Sequence, residues 1–258
     1  MRWISILVAG LALIAGACSP SIPTPLNDST RMTVTEPSPV REAIWIQSPG
    51  PGARVTSPLV VRGEAEGVFE QTLVAQLVDP SGELLTLQPV HIEAPLGARA
   101  PFEAVVHFEV SEDVNALLQV YAVSASDGGI LHLASAGLTL TTGIPVEGAP
   151  VEDGEERLVI SSPVSGQELP SGVLQVAGYG IASFEGTLLL SLQDAEGRVL
   201  AEEVLTIAAE EMGMVGAFQA ALTFQVDERQ PGRLVLTDPL PVFNGLGHVT
   251  SIPITLLP

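Results

Sequence analysis

Phe102-Glu-Ala-Val-Val-His-Phe-Glu-Val110 and Phe218-Gln-Ala-Ala-Leu-Thr-Phe-Gln-Val226 are one sentence written twice, 116 positions apart. Phe102, Ala104, Val106, Phe108 and Val110 fall on one face, and Phe218, Ala220, Leu222, Phe224 and Val226 do the same. The opposite face carries Glu103, His107 and Glu109 in the first stretch and Gln219, Thr223 and Gln225 in the second. A period of two with one polar face is an amphipathic strand of an antiparallel sheet. Outward from these strands the duplication continues. Ser48-Pro49-x-x-Gly52 returns as Ser162-Pro163-x-x-Gly166, and Val61-x-Gly63 as Val176-x-Gly178. Phe69-Glu70, Asp79-x-x-Gly82 and His132 return as Phe184-Glu185, Asp194-x-x-Gly197 and His248. Residues 44–141 and 158–257 are therefore two copies of a module of about 100 residues, the size of an ordinary domain.

Each copy reads as about seven strands. In the first they fall near 43–47, 58–63, 71–78, 84–92, 101–110, 115–124 and 130–141, divided by turn signals such as Pro49-Gly50, Asp79-Pro80-Ser81-Gly82 and Asp127-Gly128-Gly129. The stretch from Val199 to Met212 has helical propensity. Its counterpart places Pro89 where the second copy has Val204, and a proline inside a helix costs about 3 kcal/mol. A strand is the reading both copies share, at an edge where proline is tolerated. The expected fold is all-β: two tandem immunoglobulin-like β-sandwiches. Without a cysteine pair, the core rests on packing, with Phe69, Phe102, Phe108 and their counterparts inside.

The expected domains are a signal peptide (1–17), a lipidated cysteine and tether (18–42), a first sandwich (43–142), an acidic linker (143–156) and a second sandwich (157–258). Arg2 is a short charged region, Ile4 to Ala15 an apolar run too short to span a bilayer, and Ala15-Gly16-Ala17 precede Cys18, the chain's single cysteine. The site is similar to a bacterial lipobox, with alanine where leucine is usual, and it marks Cys18 for a diacylglycerol; simple secretion is the alternative. The following segment is rich in Pro, Ser and Thr. At roughly 3 Å per residue it reaches up to about 70 Å from the anchor. These features place the chain outside the cytoplasm, held to a membrane through its N-terminal lipid.

Thirty acidic residues face ten basic ones, all arginine, for a net charge of −20. That charge repels phosphate backbones, so nucleic acid is excluded as a partner.

The ordered set S-P-x-x-G, V-x-G, F-E, D-x-x-G and F-x(5)-F, closing on an aliphatic strand, resembles the immunoglobulin-like domain associated with bacterial spore germination (the Gmad type). The resemblance covers both copies and implies an envelope lipoprotein with no established catalysis or ligand. The N-terminal module of germination proteins is absent, so the resemblance implies no role in spores.

No cofactor and no catalytic residue is expected. His91, His107, His132 and His248 lack metal-ligand spacing, and no G-x-S-x-G elbow is present. A catalytic reading requires the fold to bring a histidine and an acid into one deep cleft. The equivalence of His132 and His248 points to a structural ring bonded to a backbone carbonyl. Glu152, Asp153, Glu155 and Glu156 offer oxygen ligands for calcium at the domain boundary; as a charge run they read equally as solvated linker. Trp45, Tyr121 and Tyr179 are candidate contacts for a ligand such as a sugar. The expected function is a tethered interaction or structural module with an envelope protein as partner, or alternatively binding of cell-wall or extracellular polysaccharide.

Overall fold

The structure is a computed structural model and describes residues 40–66, 71–93, 95, 97–151 and 154–258. The signal peptide, Cys18 and nearly all of the tether lie outside the described residues, as do Phe69, Glu152 and Asp153. In the first copy the strands are β1 (Ile44–Ser48), β2 (Arg54–Val55), β3 (Leu59–Ala65), β4 (Thr72–Val78), β5 (Leu84–His91), β6 (Ala100–Val106), β7 (Val114–Val123) and β8 (Ile130–Leu140). The second repeats them as β9 (Leu158–Ser162), β10 (Glu168–Pro170), β11 (Gly172–Gly180), β12 (Thr187–Gln193), β13 (Val199–Thr206), β14 (Gly216–Phe224), β15 (Gln230–Leu240) and β16 (Gly245–Leu257). Each copy is a sandwich. A three-stranded sheet, β1-β3-β6 or β14-β11-β9, faces β5-β4-β7-β8 or β13-β12-β15-β16.

The sequence motifs now acquire reasons. Gly63 stands opposite Phe102, and Gly178 opposite Phe218. A Cβ on Gly178 would lie 2.1 Å from the Val159 carbonyl oxygen and 2.6 Å from Phe218 Cζ, with matching contacts at Gly63 from Trp45 and Phe102. The V-x-G glycine is bare so that the phenylalanine ring can lie flat on the neighbouring backbone. In D-x-x-G, Asp79 Oδ1 accepts from the amides of Ser81 and Glu83. Asp194 Oδ1 likewise accepts from Glu196 and Arg198. The closing glycines take φ of 85° and 77°, the left-handed region that glycine enters freely.

Phe102, Phe108, Phe218 and Phe224 are buried among Val and Leu from both sheets. Phe184 departs from the expectation: it is exposed, lying in the loop between β11 and β12. The first-copy strand expected to reach Val110 ends at Val106, because the Phe108 amide donates to Ser57 Oγ instead of to a neighbouring strand. The segment with helical propensity is strand β13. It and β5 are the two edges of the large sheet, with Pro89 opposite Val74 and Val204 opposite Leu189. An edge position leaves proline's missing N–H without consequence.

The large sheets of the two sandwiches are one. Strands β8 and β16 pair antiparallel, joining the copies into a ten-stranded sheet ordered β13-β12-β15-β16-β8-β7-β4-β5, with β2 and β10 alongside. The described residues from Val40 to Pro258 belong to one compact unit. At the join Leu133 stands opposite Val249, its own counterpart in the other copy. A residue facing its counterpart marks a local twofold axis. Ser135 Oγ donates to the Gly247 carbonyl at 2.6 Å, and its counterpart Ser251 to the Leu131 carbonyl at 2.9 Å. A second antiparallel contact lies on the same axis: Arg41 pairs with its counterpart Glu155, the Glu42 amide donates to Gly154, and the Glu156 amide donates to Val40.

Candidate functional site

Four side chains converge where this axis passes between the sandwiches. Glu42 and Glu156 immediately precede the first strand of their copies by two residues, and His132 and His248 lie on the last strands. All four are buried. His132 Nε2 lies 3.0 Å from Glu42 Oε1 and 3.6 Å from Glu156 Oε2. His248 Nε2 lies 2.9 Å from Glu156 Oε1 and 3.2 Å from Glu42 Oε1. The imidazoles meet edge to face, with centroids 5.0 Å apart. The carboxylates also bind the backbone reciprocally: Ala43 N–H donates to Glu156 Oε2, and Arg157 N–H to Glu42 Oε2. The donor atoms of the four residues all fall within 4.8 Å of one another.

The electrostatics follow from burial and pairing. For Glu42, burial is the largest influence and pushes the carboxyl upward. Hydrogen bonds and charge from His132 and His248 outweigh it and bring the pKa down to about 2. Burial likewise pushes His248 downward, but hydrogen bonds to Glu156 and Glu42 and their charges raise it to about 9. Pairing therefore favours the charged forms of Glu42 and His248.

The cluster is buried, and two hollows are lined by its members. A cleft of about 720 Å³ between the sandwiches reaches His132 and Glu156. A separate cavity of about 230 Å³ is lined by Glu42 and His248. The large cleft is also lined by Arg233, whose Nη2 binds both oxygens of Asp127 at 2.7 Å across the two copies. Both partners of that pair are buried.

The expected sites fare differently. The histidine equivalence does report a shared structural position, but the rings bond carboxylates, not a backbone carbonyl as expected; Glu42 and Glu156 occupy the space where that carbonyl was placed. Glu156 is buried and turned to the histidines, while Glu155 is exposed, so these two described members of the calcium candidate set do not share a site. The linker's last residue is core, not solvated chain. Trp45, Tyr121 and Tyr179 are half-buried on β1, β7 and β11. Trp45 lines the smaller cavity. Tyr121 packs on the Leu133–Val235–Val249 cluster at the join and donates to Gln76 Oε1 at 3.1 Å. Burial and the charges of Glu155 and Glu156 push the Tyr179 hydroxyl upward. The fold does bring a histidine and an acid to one cleft, as a catalytic reading requires. Among the described residues, however, no serine or threonine hydroxyl hydrogen-bonds either imidazole of the cluster.

Glu42 is the member the sequence reading missed, and Glu156 is expected there only in an oxygen-ligand set at the domain boundary. One signal could have found them: Glu42 and Glu156 are 114 positions apart, the same spacing as the two S-P-x-x-G motifs.

The family model for the immunoglobulin-like domain of bacterial spore germination matches residues 43–129 and again 157–239. The chain belongs to this family, twice over. No curated protein matches the sequence. Among solved structures it is similar to dimeric latent PorU from Porphyromonas gingivalis, at 12% identity and a TM-score of 0.25, covering 85% of this chain and 24% of that one. It is also similar to the titin domains z1z2 in complex with telethonin, at 12% identity and a TM-score of 0.19, covering 84% and 97%. The N-terminal Ig1-2 module of the Drosophila receptor protein tyrosine phosphatase DLAR follows at 9% identity and a TM-score of 0.22, covering 83% and 99%. Similarities this low carry no argument about what the chain does.

Proposed function

We propose that this protein is a non-catalytic interaction module of the cell envelope, anchored by a lipid on Cys18 and presenting two immunoglobulin-like sandwiches as one fixed pair. The observation that carries the reading is the join. A sheet running through both copies and a buried Glu–His cluster hold the loops of the two sandwiches in a set relation, as a binding scaffold needs and a flexible string of domains does not supply. The imidazoles support the non-catalytic reading, because their Nε2 atoms are already taken by carboxylates. The lipobox-like sequence before Cys18 supports the anchor.

The test uses a photo-crosslinking amino acid at Glu112 or Glu228, exposed counterparts in the β6–β7 and β14–β15 loops. On intact cells, discrete adducts to an envelope component are expected from these positions. Intact-mass analysis of the same protein is expected to show a diacylglyceryl Cys18 as first residue. Retention of residues 1–17 would overturn the anchored reading, and the absence of adducts from both loops would overturn the interaction reading. A glycan array probed with wild type and Trp45→Ala reads the polysaccharide alternative: binding lost with the tryptophan would replace a protein partner by a sugar.

A further inference from the structure

We propose that Glu42, His132, Glu156 and His248 form a site for one divalent transition-metal ion, zinc foremost, shared equally by the two copies and closing the join between them. Three observations carry it. The first is valence. Each imidazole presents one Nε2, which holds at most one proton, yet each Nε2 has a carboxylate oxygen of both glutamates within 3.6 Å. Two protons span four such contacts only if each is shared between two oxygens in a weaker three-centre bond; a single cation at their centre meets all four residues directly.

The second is geometry. Zinc holds nitrogen and carboxylate oxygen at about 2.0–2.1 Å in a tetrahedron, whose edge is then about 3.3 Å. Glu42 Oε1 lies 3.0 and 3.2 Å from the two Nε2 atoms and Glu156 Oε1 lies 2.9 Å from His248 Nε2, close to that edge, while His132 meets Glu156 through its other oxygen, Oε2, at 3.6 Å. One donor atom from each of the four residues falls within 4.8 Å of all the others. The third is charge and access. Two carboxylates neutralise one divalent ion in a place where a net charge is costly, and the cleft is lined by His132 and Glu156 while the cavity is lined by Glu42 and His248.

The donor set chooses the metal. Two imidazoles disfavour calcium and magnesium, which take oxygen ligands, and suit zinc and its first-row neighbours. Four protein ligands leave no open position, so the ion serves structure rather than hydrolysis. Because half of the ligands come from each copy, its binding energy goes into docking the two sandwiches.

The mature, untagged protein is stripped with a chelator, given one equivalent of zinc, desalted and analysed for metal. One zinc per chain is expected, with a raised unfolding midpoint. His248→Ala and Glu42→Gln are each expected to weaken zinc binding at least 100-fold in titration calorimetry. The double variant His91→Gln/His107→Gln, altering two exposed histidines, is expected to bind as wild type. Should the cluster variants fail to fold, X-ray absorption of the zinc-loaded wild type decides, with two imidazoles and two oxygens expected in the first shell. Retention of less than 0.1 equivalent by the wild type, unchanged affinity in folded cluster variants, or a first shell without imidazole would each overturn the proposal.

Discussion

Raising the pH of the metal-free protein should loosen it in a defined window. His248 titrates near 9 in the folded chain and near 6.5 when unfolded, a difference of about 2.5 units or about 3 kcal/mol at 1.36 kcal/mol per unit. A raised pKa contributes stability in full below about 6.5 and loses it as the pH passes through 9, because the unfolded chain gives up its proton first. Glu42 behaves in the opposite sense. Its pKa falls to about 2, so its contribution is complete above about 4.5 and lost as the pH drops through 2. The two contributions describe the same ion pairs and are not additive; together they place the plateau near pH 4.5–6.5. The assay is urea denaturation of the full mature chain in excess EDTA at pH 6, 8 and 10. A loss of about 3 kcal/mol between pH 6 and 10 is expected in wild type. In Glu42→Gln/His248→Gln the loss should shrink to under about 1 kcal/mol. An equal slope in both proteins would refute the reasoning, since the pH dependence would then arise outside the cluster.

Other expectations follow from the sandwich itself. Gly178→Ala drives a Cβ into the Val159 carbonyl and the Phe218 ring and should cost about 2–4 kcal/mol in denaturant titration. Gly137→Ala, which meets nothing within 4 Å, should be neutral or mildly stabilising. Val204→Pro should cost under about 1 kcal/mol, because the equivalent edge position already holds Pro89; a loss above about 3 kcal/mol would mean that this N–H is part of a helix or an inner ladder. Asp127→Ala strands the buried Arg233 guanidinium and should cost about 3–5 kcal/mol. Arg62→Ala, which breaks an exposed pair with Glu103, should cost no more than about 1 kcal/mol.

The strands were legible because their driving force is local: alternate residues go inside, and the two copies confirm each other wherever one is ambiguous, as Pro89 does for Val204. The cluster was not, because its meaning lies between the copies. Read within one copy, Glu42 is the last residue of a polar tether and Glu156 the last of an acidic run. Each has its nearest histidine in its own copy, and the other copy adds a second histidine and a backbone amide that complete the cluster. The histidines announce themselves by equivalence, but their carboxylate partners do not, since Glu42 and Glu156 read in sequence as the ends of polar segments. Phe184 fails for the converse reason. Its position in a repeated motif suggests a core anchor, yet it sits on a loop whose path leaves the ring in water.

The pairing of Arg41 with Glu155 has a mechanical consequence. The polypeptide enters the body at its waist, between the two lobes and beside the pseudo-symmetry axis, not at one tip. Under the proposed anchoring, force applied through the chain before Val40 would enter at a strand pairing that belongs to both copies at once.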